Sequence, residues 1–403
     1  MSGAEEMPAC AMQCMETGVK GSSCSMTNTT CICADVPLQA NLALCVETSC
    51  TVKEGLTTRN LTSTMCHEPF RDKSNIIVVI NSVFMALAII VTFIRSLQFH
   101  KQFGLEDIFA TVGLLSAVVM GALEFLMIDA GYGRDIWTIS FANIELILKY
   151  NWVVEMLYIV AVVAVKMAFL CLYLKIFPNI GLRRVIYALM GFSTLYFLVF
   201  TLGICFNCLP VTYIWTAWTG ETHGSCLDFN AFGIACAVIN IVLDVVVMAL
   251  PLHEIIKLNL RPWKKVLVIV MFCTGFFITI ISIIHLTFVV TFADTTNATY
   301  DYVPVAYWSL IESYTAFFCV SMPAIRRFFN RILFTCCGIA DSCQQESDPK
   351  SDASAFHRRT RSKNLSIRRT TKTSVSREPL SRRDSDAVNL VDVGYYSSFQ
   401  RRG

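Results

Sequence analysis

The sequence predicts an all-α membrane protein: a seven-transmembrane helix bundle, preceded by a small disulfide-rich helical domain and followed by a polar tail. Three observations predict it. Hydrophobic residues fill 55% of the 403 positions and charged residues only 16%, with a mean hydropathy of +0.55, too apolar for an ordinary soluble domain. The apolar residues gather into seven long runs between about residues 75 and 327. Of the 18 cysteines, a dense set lies ahead of those runs, within residues 1–74. The net charge of +3 says little, because residues 328–403 are basic and Ser/Thr-rich while the middle of the chain is apolar.

The N-terminal segment, 1–74, contains Cys10, Cys14, Cys24, Cys31, Cys33, Cys45, Cys50 and Cys66. An even, dense set reads as four disulfides stapling a domain too small to be held by its core. Zinc also takes clustered thiolates, but paired CxxC knuckles are missing here. Cys10 and Cys14 are one helical turn apart, and Cys45 and Cys50 nearly so. Two antiparallel helices would join them as nested pairs, Cys10–Cys50 and Cys14–Cys45, leaving Cys24–Cys31 and Cys33–Cys66. This is one pairing among the 105 that eight cysteines allow. The opening "MSGAEEMPAC" has neither a basic n-region nor an apolar h-region. Either the first membrane helix carries the N-terminus across, or a leader precedes this sequence.

The seven runs lie at roughly 75–98, 106–129, 149–175, 185–208, 231–256, 266–292 and 303–325. Each is long enough to cross about 30 Å of hydrocarbon as a helix, and in lipid a helix satisfies every backbone polar group within the segment. Lys and Arg set the orientation. Arg95 and Lys101, then Lys175, Arg183 and Arg184, then Lys257, Arg261, Lys264 and Lys265 fall in alternate loops, whereas 208–230 and 293–302 have none. The positive-inside rule places the N-terminus outside and the tail in the cytoplasm, in a multi-pass cell-membrane protein.

Polar residues inside such runs are costly and are functional candidates. Glu124, Glu155, His285 and Glu312 fall in the outer half of their helices, with Trp152, Tyr158 and Trp308 as aromatic neighbours, which predicts an outer ligand cavity lined by acids. Lys166 lies three turns from Glu155 on one face. Asp244, one turn from Asn240, faces it at greater depth, so a buried Lys166–Asp244 pair is expected. The competing expectation is a set of interhelical hydrogen bonds that only hold the bundle. In the loop after the fourth run, Cys208 and Cys226 are placed to form a fifth disulfide, with Cys205 as competitor; Cys171, Cys236, Cys273 and Cys319 read as buried thiols. Sequons mark Asn28, Asn60 and Asn297 as outward glycosylation candidates.

After Pro323 the stretch "AIRRFFNRILFTCCGIADSC" interleaves basic and aromatic residues. It predicts a short amphipathic helix along the membrane, with Cys336 and Cys337 as palmitoylation candidates. Beyond it the tail is expected to be disordered. Thr360, Thr370 and Ser385 sit in arginine-rich phosphorylation contexts, and phosphate there would weaken attraction to anionic membrane lipids. A membrane-tethered tail without a folded motif gives no nucleic-acid partner.

The run P-x-C-x3-C-x9-C-x6-C-x-C-x11-C-x4-C-x15-C, from Pro8 to Cys66, resembles the fungal CFEM domain, a small helical extracellular module. The stretches "LEDIF", "GYGRDIW", "KMAFLCLYLKIF", "CLPV", "DVVVMALPLHEIIKLNLRPWKK", "WSLIE" and "MPAIRRFF" resemble the fungal rhodopsin-like seven-helix domain. Together, over about 1–335, they resemble the CFEM-containing, pathogenicity-associated receptors of filamentous fungi. The resemblance implies a GPCR-like surface receptor for an extracellular or host-surface cue, a virulence role, and a heterotrimeric G protein as cytoplasmic partner. The Asp-Arg-Tyr and Asn-Pro-x-x-Tyr patterns of animal receptors are missing. CFEM domains of the haem-scavenging type carry a haem-ligating aspartate shortly before the fourth cysteine; here Asn28 stands there, so no metal and no cofactor is expected and haem is disfavoured. The alternatives are a membrane-anchored haem- or iron-binding CFEM protein and a transporter, though no internal repeat supports the latter. A retinal protein would need a Schiff-base lysine in the seventh helix, and 303–325 contain none. No nucleophile–base constellation argues for an enzyme.

Overall fold

The fold is that of a computed structural model, which describes residues 7–97, 104–257, 262–293 and 295–336. The N-terminal domain is four helices: α1 (Ala9–Lys20), α2 (Thr29–Ala34), α3 (Val36–Ser49) and α4 (Val52–Met65). Capping residues set their starts. Asn28 accepts the Cys31 N–H at 3.0 Å and Asp35 accepts that of Leu38 at 3.1 Å, while Thr51 and Glu54 form a reciprocal capping box. The core is small, Val19, Ile32, Leu38 and Leu42 around Cys24. Cross-links supply what so few residues cannot: Cys10–Cys50 and Cys14–Cys45 staple α1 to the end of α3, Cys24–Cys31 closes the entry to α2, and Cys33–Cys66 ties α2 to the end of α4.

Then follow α5 (Ser74–Ser96), α6 (Leu105–Ala130), α7 (Phe141–Ile176), α8 (Ile180–Cys205), the short α9 (Tyr213–Thr216), α10 (Phe229–Lys257), α11 (Pro262–Thr291), the short α12 (Ala298–Asp301) and α13 (Val303–Cys336). By length and composition, six segments among the described residues can cross a membrane: Ser74–Arg95, Leu105–Ala130, Phe141–Ile176, Ile180–Cys205, Asn230–Pro251 and Ala298–Arg326. The seventh expected span is α11, whose described apolar part is Gly275–Thr291. Outward faces are greasy: Val83 and Ile90 on α5, Leu195 and Leu202 on α8 and Val242 on α10 are all exposed. The centre belongs to α7 and α13, packed with α5 and α6 through Ile77, Met120, Ile144, Leu310 and Tyr314; α7 also packs with α8 and α10 through Ile159, Tyr196 and Leu243. Between α8 and α10, strands β1 (Cys208–Leu209) and β2 (Ser225–Cys226) pair antiparallel with Cys208 opposite Cys226, and a disulfide joins those two. Cys205 remains a thiol.

Two element boundaries differ from expectation. The helix α7 starts at Phe141, eight residues before the apolar run, because Ser140 caps it by accepting the Asn143 N–H at 3.4 Å. Its 36 residues span about 54 Å at 1.5 Å each, well beyond a bilayer core. The expected separate amphipathic helix after Pro323 is instead the continuation of α13, which runs through that proline to Cys336. A proline costs one ladder bond, and a buried helix absorbs it. Cys336 ends α13 with its side chain outside the described residues, as are Cys337, Thr360, Thr370 and Ser385.

The N-terminal domain is seated on one end of the bundle, hereafter the cap side. Arg71 forms an ion pair with Asp135 at 2.6 Å, Arg134 with Asp72 at 3.2 Å, and Lys53 with Glu221 at 2.7 Å. Arg59 lies over the Trp137 ring and Lys73 over that of Tyr300. Gly133 is the backbone hub. Its N–H donates to the Thr299 carbonyl and its carbonyl accepts the Lys73 N–H, both at 2.9 Å. With φ +98° and only 2.7 Å between a would-be Cβ and Ser74 N, no side chain fits there.

Candidate functional site

A cavity of about 330 Å³ opens in the cap-side half of the bundle, bounded by α6, α7, α10, α11 and the α12–α13 segment. Glu124, Glu155, Tyr158 and His285 line it, with Asn151 and Tyr132, on an otherwise apolar wall. Glu124 is 1% exposed, and its Oε2 has no hydrogen-bond partner among the described residues. Glu155 accepts the Asn151 amide at 2.6 Å. The roof is α12 and its flanks: Ala298, Thr299 and Tyr302 face the cavity.

Glu312 is not on this wall. It lines a second, smaller cavity of about 40 Å³, deeper in the bundle, together with Lys166 and Asp244. There it joins the two depths. Oε2 accepts the Tyr158 hydroxyl at 2.8 Å and lies 2.9 Å from His285 Nδ1. Oε1 accepts the Ser282 hydroxyl at 2.7 Å and the Asn240 amide at 2.9 Å. The Asn240 carbonyl in turn accepts Lys166 Nζ at 2.7 Å, and that ammonium pairs with Asp244 at 2.8 Å. A side chain placed in the outer cavity by helix direction is therefore the link to the inner pair. Helix direction fixes which end of the membrane an acid is nearer, but not its level to within a turn.

This relay crosses four helices: Tyr158 and Lys166 on α7, Asn240 and Asp244 on α10, Ser282 and His285 on α11, and Glu312 on α13. Lys166, Asn240, Ser282, His285 and Glu312 are all buried. Buried charges are tolerated when they are paired and their remaining lone pairs are filled. Glu312 meets that condition fully; Asp244, whose Oδ2 is buried without a partner among the described residues, does not.

Neither tryptophan expected near the ligand faces the cavity. Trp152 donates its indole N–H to the Ile204 carbonyl at 3.1 Å and packs on Trp215. Trp308 stacks on Phe288. Both therefore pack between elements behind the wall.

On the cap side, Asn297 corrects the glycosylation reading. It is buried, its amide nitrogen donates to Asp135 at 2.8 Å and its carbonyl accepts the Ile136 N–H at 2.9 Å. The atom that would carry a sugar is buried and turned to Asp135. Asn28 is exposed and Asn60 half-buried on α4. The Asp135–Asn297–Arg71 cluster had no sequence signal, since its members lie far apart in the chain. The Asp135 carboxylate beside Arg71 holds the guanidinium above its ordinary range. Burial pushes Asp72 upward, but hydrogen bonds from Ser74 and the charge of Arg134 outweigh it and hold the carboxyl below its usual value.

At the opposite end, the "LEDIF" stretch is two anchors. Asp107 binds Arg95 of α5 at 2.5 Å, and Arg95 also donates to Ser321 of α13 at 3.2 Å. Glu106 binds Lys175 at the end of α7 at 2.7 Å.

Residues 3–67 match the CFEM domain, and residues 68–331 match the fungal rhodopsin domain. The chain is similar to "Wortmanamides biosynthesis cluster protein C" of Talaromyces wortmannii, 24% identical over 254 residues covering 61% of this chain and 68% of that protein. It is 25% identical to a "SAT4 family membrane protein" of Emericella nidulans over 49% of this chain and 50% of that one. With "Fugralins biosynthesis cluster protein 2" of Gibberella zeae it shares 23% identity over 56% of this chain and 57% of that protein. No solved structure matches.

Proposed function

This chain belongs to the fungal rhodopsin domain family and carries a CFEM domain, and from that premise we propose that it is a cell-surface receptor, its cap outside and its tail in the cytoplasm. It senses an extracellular or host-surface cue and passes the signal to a cytoplasmic partner of the heterotrimeric G-protein kind. The observation that carries this reading is the relay from His285 and Tyr158 through Glu312 and Asn240 to Lys166 and Asp244. A ligand that competes for Tyr158 or His285 redistributes the bonds of Glu312, and with them the packing of α7, α10, α11 and α13. A buried charged network with alternative pairings is a two-state element of the kind that coupling between sites needs.

In this reading the cap tethers or filters the cue, and its own cofactor need is nil. The tail returns to anionic lipid when unphosphorylated at Thr360, Thr370 and Ser385. The deciding experiment is a cue screen in cells carrying a cAMP reporter, run on the full chain, on a chain lacking residues 1–74, and on Asn240→Leu. A cue-dependent change in the full chain that Asn240→Leu abolishes supports the proposal. No cAMP change with any cue, in cells where the protein reaches the surface, removes G-protein coupling. Topology is read separately: protease added to intact cells should cut a tag at residue 1 and spare one at residue 403.

A further inference from the structure

We infer that the cap-side cavity binds a small organic cation, an amine on an apolar body, through Glu124 and Glu155; the inference rests on the receptor reading only in using the same cavity. The wall is mainly hydrocarbon, with Ile147, Val154, Ile159, Phe232 and Val289 among its residues. At about 330 Å³ it falls at the lower end of volumes that hold drug-sized ligands, about 300–1,000 Å³. Its charge is one-sided: Glu124 comes from α6 and Glu155 from α7, and no lysine or arginine is among the described lining residues.

Glu124 identifies the missing chemistry. It is buried to 1% exposure on the cavity wall, and its Oε2 is without a partner among the described residues. Glu312, equally buried, is filled by four neighbours. Buried carboxylate oxygens are normally satisfied, so an unfilled one on a residue that lines a cavity reserves a place for a donor from outside the protein. Glu155 offers the second acceptor, with only the Asn151 amide bonded to it among the described residues. The His285 ring turns Nδ1 to Glu312 and makes no hydrogen bond to Glu124 or Glu155 among the described residues.

Three other ligand classes fit less well. An anion would meet two carboxylates and no cation. A bare metal ion needs converging ligands, and among the described residues the only close group of three candidate metal-binding groups is Cys10, Cys50 and Glu54, where the cysteines are disulfide-bonded to each other. A neutral alcohol offers one donor without charge, and charge-assisted hydrogen bonds are roughly twice as strong as neutral ones. An ammonium carries up to three donors and the opposite charge, on a body that the apolar wall removes from water.

The test uses the full-length protein in lipid nanodiscs and three probes of one shape: 3-phenylpropylamine, 3-phenylpropanol and 3-phenylpropanoate. Binding is read by saturation-transfer NMR and thermal shift. The amine should bind at least about tenfold more tightly than the alcohol, and the acid most weakly. Glu124→Gln and Glu155→Gln keep the shape of the wall and should each cut the amine preference by about tenfold. Monodispersity and an unchanged melting profile without probe show that the variants fold. Equal binding of amine and alcohol, binding of none of the probes at millimolar concentration, or an amine preference retained by both variants overturns the inference. The receptor reading fails or stands separately. Amine-selective binding with a silent cAMP reporter supports the site while removing the coupling. A cue that drives the reporter and binds the Glu124→Gln/Glu155→Gln double variant unchanged overturns the site while leaving the coupling.

Discussion

The amide of Asn240 lies between Glu312 and Lys166, donating to the carboxylate at 2.9 Å and accepting the ammonium at 2.7 Å. One neutral side chain thus bridges two opposite charges on different helices. Removing one partner of a buried pair strands the other, whereas removing both is tolerated. Lys166→Met is therefore expected to destabilise the protein by about 3–5 kcal/mol. The double change Lys166→Met/Asp244→Leu should recover most of that loss. Thermal unfolding of the four proteins in one detergent, treated as a double-mutant cycle, checks it; additive losses would mean that the pair does not act as a unit.

Gly133 sits at φ +98° against Ser74 N, with both its backbone groups bonded. Gly133→Ala is expected to cost about 1–3 kcal/mol through the disallowed backbone and the clash. The loss should appear at the seat of the cap, as faster proteolysis between Cys66 and Ser74, before the bundle itself melts. Unchanged cleavage would separate the cap from this hub.

Acid should loosen the same seat. The carboxyl of Asp72 is held below its ordinary value of 3.8 by Ser74 and Arg134 despite its burial. A depressed folded pKa contributes stability that is present above the unfolded value and lost as pH falls through the folded one. Cap seating should therefore be constant from pH 8 down to about 5 and weaken below about 4. Asp72→Asn should remove that step. Hydrogen exchange of residues 70–75 against pH gives the readout, and a step unaffected by Asp72→Asn would assign it elsewhere.

Intact-mass and non-reducing peptide mapping should find residues 10–66 without a free thiol and Cys208 joined to Cys226. Glycan is expected on Asn28 or Asn60 and not on Asn297, whose amide nitrogen is bound to Asp135. A sugar on Asn297 would require that the Asp135 cluster be open in the mature protein.

For haem, the side chain at position 28 is the variable. Asn28 spends its oxygen on capping α2, a task aspartate performs equally well, so Asn28→Asp keeps the fold while supplying an anionic oxygen. The full chain should show no Soret shift with haem, and Asn28→Asp should produce one. Thr30→Ala, which removes the sequon but keeps the amide, should not. Tight haem binding by the unaltered protein would turn the reading from sensing toward haem capture.

Much of this architecture is visible in the sequence because it is written in short-range terms. Two of the cap's cysteine pairs, Cys10–Cys50 and Cys14–Cys45, follow from one-turn spacings and leave the other two, and the spans follow from hydropathy. Helix ends are less visible. The start of α7 depends on the Ser140 cap in a polar stretch that no hydropathy window detects, and α13 continues through a proline that ordinarily signals a stop. The site divides the same way. Acids inside apolar runs announce themselves, so Glu124, Glu155 and Glu312 could be picked out. Asn151 and Ser282 could not, since amides and hydroxyls are unremarkable on a membrane helix until their neighbours are known. The contacts of Arg71, Asp135 and Asn297 join residues 64 and 162 positions apart, and no local pattern encodes them. At Asn297 the sequon was a distraction, because the residue serves as a two-sided backbone and carboxylate clamp.

Thr299 belongs to two neighbourhoods at once. Its carbonyl holds Gly133, the hub on which the cap rests, and the residue itself forms part of the cavity roof. A wall common to two binding surfaces imposes a bookkeeping identity on them. If occupancy of the cavity changes the affinity of the cap for a surface by some factor, attachment of the cap must change the affinity of the cavity for its ligand by the same factor. A cell pressed against a substrate and a cell adrift in medium would then read one concentration of the same small molecule as two different doses.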